Sequence, residues 1–485
     1  MSASLPPPVG SGHAVVDAVV VGAGPNGLAA AVALAREGCR VVVLEGAGTI
    51  GGGARTEELT LPGFRHDVCS AVLPLGIGSP FLRTLPLGAH GLEWMHPETP
   101  LAHPLDAEAA VLERSIEATA TGLGIDADAW RSLFGPLVDA WDALAEDVLA
   151  PLHWPRRPGP LLRMSAGAAR PAEALARSRF AAEPARALFA GIAAHGLLPL
   201  SRRPTSAVAL LLGTAAHAVG WPSPRGGSDR IPAALGSLLT SLDGEILTGR
   251  EVSALEQLPP ARAVLLDVTP WQFLRIAGPH LSPRYRKRLA SFRYGPGVFK
   301  LDLALAEPIP WRSEACRRAG TVHVGGTLVE VAAAESSVNR GRAAERPFVL
   351  VAQPTIFDPS RAPADRHVAW AYCHVPNGWR GDETGKIEEQ IERYAPGFRE
   401  RILGRSARGP REIEAHDPNC VGGDIAGGLM DLRQSLARPV SPIEPYATPL
   451  RGVYLCSAST PPGPGVHGMC GHHAARAALR GSLRG

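Results

Sequence analysis

Hydrophobic and polar positions divide this chain into stretches of different period. Val15–Val21 is a short β-branched run that predicts a buried strand. Leu28–Arg36 is an Ala/Leu stretch that predicts a helix stopping at Gly38, and Arg40–Leu44 predicts the next strand. From Ala107 to about Gly220, apolar residues recur at helical spacing, as at Trp130, Phe134, Leu137, Val138 and Trp141, with Pro-rich breaks between 151 and 160. A mostly helical insertion is expected there, and the aromatic stripe reads as packed core. Trp221–Ser228 interrupts the helices, Ile231–Leu242 predicts another, and Glu245–Thr248 predicts a strand. Ala263–Thr269 predicts a further strand and turn. Gly295–Trp311 alternates strictly: Phe299, Leu301, Leu303 and Leu305 share one face, Val298, Lys300 and Asp302 the other. Gly452–Ala458 reads as a strand, followed by a Gly/Pro-rich turn and a short helix through His472, Ala475 and Leu479.

The first strand runs directly into Gly22-Ala23-Gly24-Pro25-Asn26-Gly27, and the second ends on Glu45, 18 residues past Gly27. Strand, Gly-rich turn, helix and terminal acid in this order form a Rossmann dinucleotide-binding unit. Gly22 allows the tight turn, and Gly24 lets backbone approach a pyrophosphate. Gly27 lets helix and strand lie close, and the helix N-terminus faces the phosphate charge. A second cluster, Gly51-Gly52-Gly53-Ala54-Arg55-Thr56, follows Glu45 and Gly46. Near the end of the chain Gly463-x-Gly465-x-x-Gly468 repeats the GxGxxG spacing. Only 17 residues follow Gly468, too few for another βαβ unit of roughly 30 residues, so this is not a second nucleotide domain.

Length and composition narrow the class. The 485 residues suffice for two or three domains, and 45% hydrophobic with 20% charged residues predicts a folded chain. A net charge of +3 without a dense Lys/Arg run gives no electrostatic footprint for nucleic acid. The seven cysteines are scattered with no CxxC, which excludes that redox or zinc motif, leaves no metal site to propose and predicts a cytoplasmic location. Residues 1–13 read as a disordered leader. No window approaches the roughly 20 apolar residues of a spanning helix, while peripheral membrane contact and oligomeric state stay open. Only Lys287, Lys300 and Lys386 are lysines among 49 basic residues, so a lysine is a rare choice here.

The doublet-glycine extension with Arg55 resembles the phytoene desaturase and flavin amine oxidase superfamily, where backbone and an arginine lie along the flavin side of FAD. The resemblance implies an α/β fold: a Rossmann-type FAD-binding domain (residues 14–90, 222–272 and 440–485) with an inserted α+β substrate domain (91–221 and 273–439). It implies FAD contacts at Gly22, Gly24, Pro25, Asn26, Gly27, Glu45, Gly46, Gly52, Gly53, Ala54, Arg55 and Thr56. Val252 would offer its backbone to the adenine. Ala458, Gly465, Val466, His467 and Gly468 match the motif that lies against the flavin's pyrimidine end, where a helix dipole stabilises arriving electrons. Lys300 falls on the amine-oxidase lysine that holds a water beside flavin N5; the competing reading pairs it with Asp302 on a solvated face. True carotenoid desaturases generally lack that lysine, which argues against a carotene. His467 is either a proton carrier or a capping residue. The implied activity is an FAD-dependent oxidoreductase that takes a hydride from a C–H bond of an apolar small molecule onto flavin N5. A flavin amine oxidase, a flavin-dependent isomerase and a redox-silent FAD-fold binding protein remain alternatives.

Overall fold

A computed structural model describes residues 16–106, 108–441 and 443–484; the expected leader, 1–13, lies outside the described residues. The first strand, β1 (Val16–Val21), buries its last four residues, and each fully buried valine contributes roughly 1.5–3 kcal/mol. Helix α1 (Pro25–Ala35) begins three residues before the predicted start, because Pro25 occupies its first turn, where a missing N–H costs nothing, and Gly24 stands extended at its cap. A β-carbon on Gly27 would lie 2.0 Å from the Gly22 carbonyl oxygen, so helix and strand meet at a distance only glycine permits. Strand β2 (Val41–Leu44) then runs parallel to β1.

Five parallel strands form the nucleotide-binding sheet in the order Val453–Leu455, Ala261–Leu266, β1, β2, Glu245–Leu247. Parallel strands buried on both faces need continuous apolar runs, which Val16–Val21 and Val41–Leu44 supply. The last helix, Met469–Arg480, packs across α1. A β-carbon on Gly471 would sit 1.8 Å from the Asn26 oxygen, so the two helices touch backbone to backbone.

A second, mixed sheet of seven strands has the order Ile402–Arg408, Gly297–Leu305, His367–Val375, Val349–Ala352, Ala319–Val324, Thr99–Pro104, Ala109–Leu112. The predicted helical insertion therefore starts with an edge strand, Ala109–Leu112, before seven α-helices cover residues 116–219. Trp130 and Phe134 are fully buried in that helical core, as the stripe predicted. In the Gly297–Leu305 strand, Phe299, Leu301, Leu303 and Leu305 pack into one core. The opposite face is buried too, so the reading that put Lys300 and Asp302 on a solvated face does not hold: every residue of this strand is buried, because elements cover both sides of the sheet.

Candidate functional site

Three adjoining cavities form one trench along the carboxyl ends of the parallel strands, the edge where open α/β sheets bind ligands. The outer one, about 380 Å³, is lined by Gly22, Gly24, Glu45, Gly46, Gly52, Arg55 and Val252. A middle one of about 120 Å³ shares Gly24 and Gly52 with it and adds Pro25, Asn26, Gly53, Ala54, Ala458, Gly465 and Val466. The inner one, about 280 Å³, meets the middle at Cys69, Ser70, Pro464, Gly465 and Val466 and then turns apolar, with Leu73, Leu211, Leu212, Leu350 and Met430. Among the described residues, no Asp, Glu, Lys or Arg lines the inner cavity. Both glycine motifs, from opposite ends of the chain, thus contribute to one wall.

The cradle is built for close backbone approach. A β-carbon on Gly52, at φ +54°, would lie 3.2 Å from the Gly24 α-carbon, so the two N-terminal glycine clusters stand back to back. The Ala23 N–H donates to Glu45 Oε2 at 2.7 Å, and the Ala47 N–H donates to Oε1 at 2.9 Å, which fixes the acid at the mouth of the turn. Arg55 Nη2 stands 3.6 Å from Glu45 Oε1 and donates to the Thr49 carbonyl at 2.8 Å. Arg55 Nε and Asn26 Oδ1 are buried without hydrogen-bond partners, and orphaned polar atoms of this kind call for a ligand or water. A glycine-lined cradle, the N-terminus of α1 and these free polar atoms fit a dinucleotide.

Five expected residues do not line the trench. Gly27 lies in the first turn of α1, packed against Gly22 just after β1. Thr56 donates to Asp67 Oδ1 at 2.8 Å and holds the short hairpin of Thr56–Glu58 with Arg65–Asp67. Gly468, at φ +67°, caps the last helix against Ala29. His467 is fully buried; the Met469 N–H donates to its Nδ1 at 3.0 Å, so its ring caps the helix, and burial lowers its pKa to about 4. Lys300 hydrogen-bonds both oxygens of Asp302, with His66 Nδ1 3.6 Å from Asp302 and the Trp370 ring 5.5 Å from the ammonium. Burial lowers the Lys300 ammonium and raises the Asp302 carboxyl, and each charge offsets that cost for the other.

Three groups went unseen in the sequence. Asp267, at the end of the Ala261–Leu266 strand, accepts the Gly27 N–H at 2.9 Å and lines both outer cavities. Burial pushes its carboxyl up to about 8, and neighbouring Asp417 and Glu45 add to the rise. Its signal was there to read, an acid directly after Val264-Leu265-Leu266. His195, from the helical insertion, reaches the inner cavity and stands 3.0 Å from His323, Nε2 to Nε2; burial holds it neutral, with a pKa near 3. Cys420 lines the middle cavity, as does Cys69.

Comparison with known proteins agrees with this geometry. Residues 20–84 match the family described as an NAD(P)-binding Rossmann-like domain. Pyridine nucleotide-disulfide oxidoreductase domain-containing protein 2 of Rattus norvegicus is 28% identical, with 96% of this chain and 93% of the relative aligned. Among solved structures, putrescine oxidase bound to putrescine is similar at a TM-score of 0.59 and 19% identity, covering 97% of this chain and 98% of its own. The fold is that of the flavin amine oxidases. Cyclohexylamine oxidase from Brevibacterium oxydans shares it at a TM-score of 0.59 and 15% identity, with 96% and 99% coverage. The likeness extends over 96–97% of the chain and so takes in both sheets. No described helix is long and apolar enough to cross a membrane.

Proposed function

We propose that this chain is an FAD-dependent oxidoreductase that takes a hydride from a C–H bond of a neutral, largely apolar small molecule. The observation that carries the reading is the continuity of the trench: a glycine cradle with orphaned polar atoms opens into a cavity lined by no charged residue, and Gly465 and Val466 stand at the junction. FAD, when bound, supplies the electron acceptor at its N5 atom. The chain's own part is to bind and exclude. Glu45 and Val252 would hold the adenosine end, and the Gly22–Gly27 and Gly51–Gly53 backbones the pyrophosphate. The N-terminus of Met469–Arg480 would place partial positive charge at the pyrimidine end. The leucine-lined cavity keeps water from the substrate, and among the described residues His195, Cys69 and Tyr372 are its ionisable groups.

Lys300 keeps its proposed part beside the flavin through Trp370 of the inner cavity wall, 5.5 Å from its ammonium, rather than by facing the cavity itself, since Asp302 holds that ammonium. His467 fits a cap better than a proton carrier. The two-domain division, with each sheet as the centre of one domain, the reducing cytoplasmic location and a small-molecule partner belong to the same proposal. A second reading, flavin amine oxidase, is favoured by the aromatic pair Trp370 and Tyr372, whose rings meet edge to face at 5.0 Å on the cavity wall. Anaerobic screening separates the two. Neutral apolar alcohols, alkenes and ketones should bleach the bound flavin, and bleaching by primary or secondary amines alone would make the second reading the correct one.

A further inference from the structure

The Glu183–Ala194 helix of the insertion is followed at once by His195, which among the described residues is the one imidazole on the inner cavity wall. Its Nε2 is spent on His323 Nε2 at 3.0 Å, which leaves Nδ1 for the cavity. The Trp221 ring meets the imidazole edge to face at 6.1 Å and uses its own indole N–H on Thr321 Oγ1, so it holds the ring without competing for a ligand. Burial pushes the Tyr372 phenol up, so that neighbour on the wall keeps its proton at neutral pH and is no base.

Behind His195 a carbonyl fixes where the hydrogens sit. His103, on the Thr99–Pro104 strand, turns Nε2 to the Gly326 carbonyl at 2.6 Å. A carbonyl only accepts, so His103 Nε2 carries the hydrogen and its Nδ1, buried without a partner, is a bare lone pair. His323, on the adjoining Ala319–Val324 strand, has an Nδ1 that is likewise buried without a partner. Both Nδ1 atoms lie 2.8 Å from the place a β-carbon would take on Gly191, so they flank one notch in the Glu183–Ala194 helix. The arrangement that avoids opposing two lone pairs there puts a hydrogen on His323 Nδ1. His323 Nε2 then accepts from His195 Nε2, and His195 Nδ1 presents a lone pair to the cavity. Burial keeps both rings neutral at rest, so that lone pair is free at neutral pH.

We propose that His195 is the catalytic base for a hydroxyl-bearing apolar substrate, accepting the O–H proton on Nδ1 while the carbon bearing that hydroxyl loses hydride. This rests on the FAD reading above and deepens it: the substrate is a primary or secondary alcohol, and the product an aldehyde or ketone. The C–H bond breaks and its electron pair leaves as hydride to the oxidised flavin, which is reduced. The O–H bond breaks with its electron pair staying on oxygen to complete the C=O bond, and the proton goes to His195 Nδ1. His195 then passes its Nε2 proton to His323 Nε2, so the hydrogen-bonded pair shares the positive charge.

The test is anaerobic bleaching of the holoenzyme by octanol, cyclohexanol and cinnamyl alcohol, each beside its methyl ether. At least one alcohol should bleach the wild type, and its ether should not. His195→Ala and His195→Gln, each checked for a retained flavin spectrum, should bleach more slowly by about a hundredfold or more. Free imidazole should restore much of the rate in His195→Ala, where it fits the vacated space. It should do nothing for His195→Gln, whose side chain fills that space without a basic nitrogen. Wild-type rates in either variant overturn the proposal, as does His195→Ala slowed but indifferent to imidazole, the mark of a merely structural role. A yellow protein that no alcohol bleaches overturns it too and leaves the FAD reading standing. A colourless protein refutes the FAD reading on its own spectrum, and the proposal falls with it.

Discussion

Replacing Asp267 by Asn removes an ionisable group from the glycine cradle while keeping an oxygen to accept the Gly27 N–H. In the folded chain the carboxyl is raised from 3.8 to about 8, chiefly by burial. A raised acid holds its proton in the folded state and loses it when the chain unfolds, so this group destabilises the fold progressively as pH rises from about 4 to about 8. At about 1.4 kcal/mol per pH unit, the ceiling of that effect is roughly 6 kcal/mol above pH 8. The cofactor feels the same charge. Asp267 lines the cradle, and for scale two like charges about 5 Å apart at an effective dielectric near 20 repel by about 3 kcal/mol, on the order of a hundredfold in the affinity a bound dinucleotide would show. Thermal unfolding of the flavin-free protein and flavin retention on gel filtration, both from pH 5 to 9.5, read the two effects separately. Wild type should lose stability as pH rises toward 8 and flavin as pH passes 8, each more steeply than Asp267→Asn. Superimposable curves for the two proteins would refute the reasoning, because other groups titrate alike in each.

Three further outcomes follow from contacts already described. Gly27→Ala forces a β-carbon to 2.0 Å from the Gly22 oxygen, so soluble protein, where obtained, should lack flavin and melt well below wild type in a thermal scan. Lys300→Met leaves Asp302 buried without its partner and should cost about 3–5 kcal/mol in denaturant unfolding, with much of it recovered in the double variant with Asp302→Leu. If Lys300 also serves the flavin, reoxidation by oxygen measured by stopped flow should remain slow in that recovered double variant. Leu212→Glu places a charge in the uncharged inner cavity and should abolish bleaching by apolar substrates while the flavin spectrum stays intact.

The parts of this fold that a linear reading could reach are those whose signal is local. β1, α1 and β2 were legible because glycine spacing, a β-branched run and an Ala/Leu helix occur within 30 residues. The second motif at 463–468 was legible by the same spacing, and its convergence with the first follows from glycines at 468 and 471 that let two helices touch. Lys300 and Asp302 were assigned a common face correctly, but alternation cannot tell a solvated face from one covered by other elements. Here His66 and Trp370 come from other segments to cover it. His195 and Cys420 carry no local motif, and Asp267 carries only its place as an acid at the end of a strand. Their significance arises only when three stretches of chain are laid along one trench.

The absorbance spectrum of the purified protein, before and after acid precipitation, tests the central claim most directly. The account predicts FAD bands in the native protein and a yellow chromophore released into the acid supernatant, since the chain offers a non-covalent cradle. A colourless protein that cannot be reconstituted with added FAD would contradict it and leave a fold that grips apolar ligands without redox chemistry.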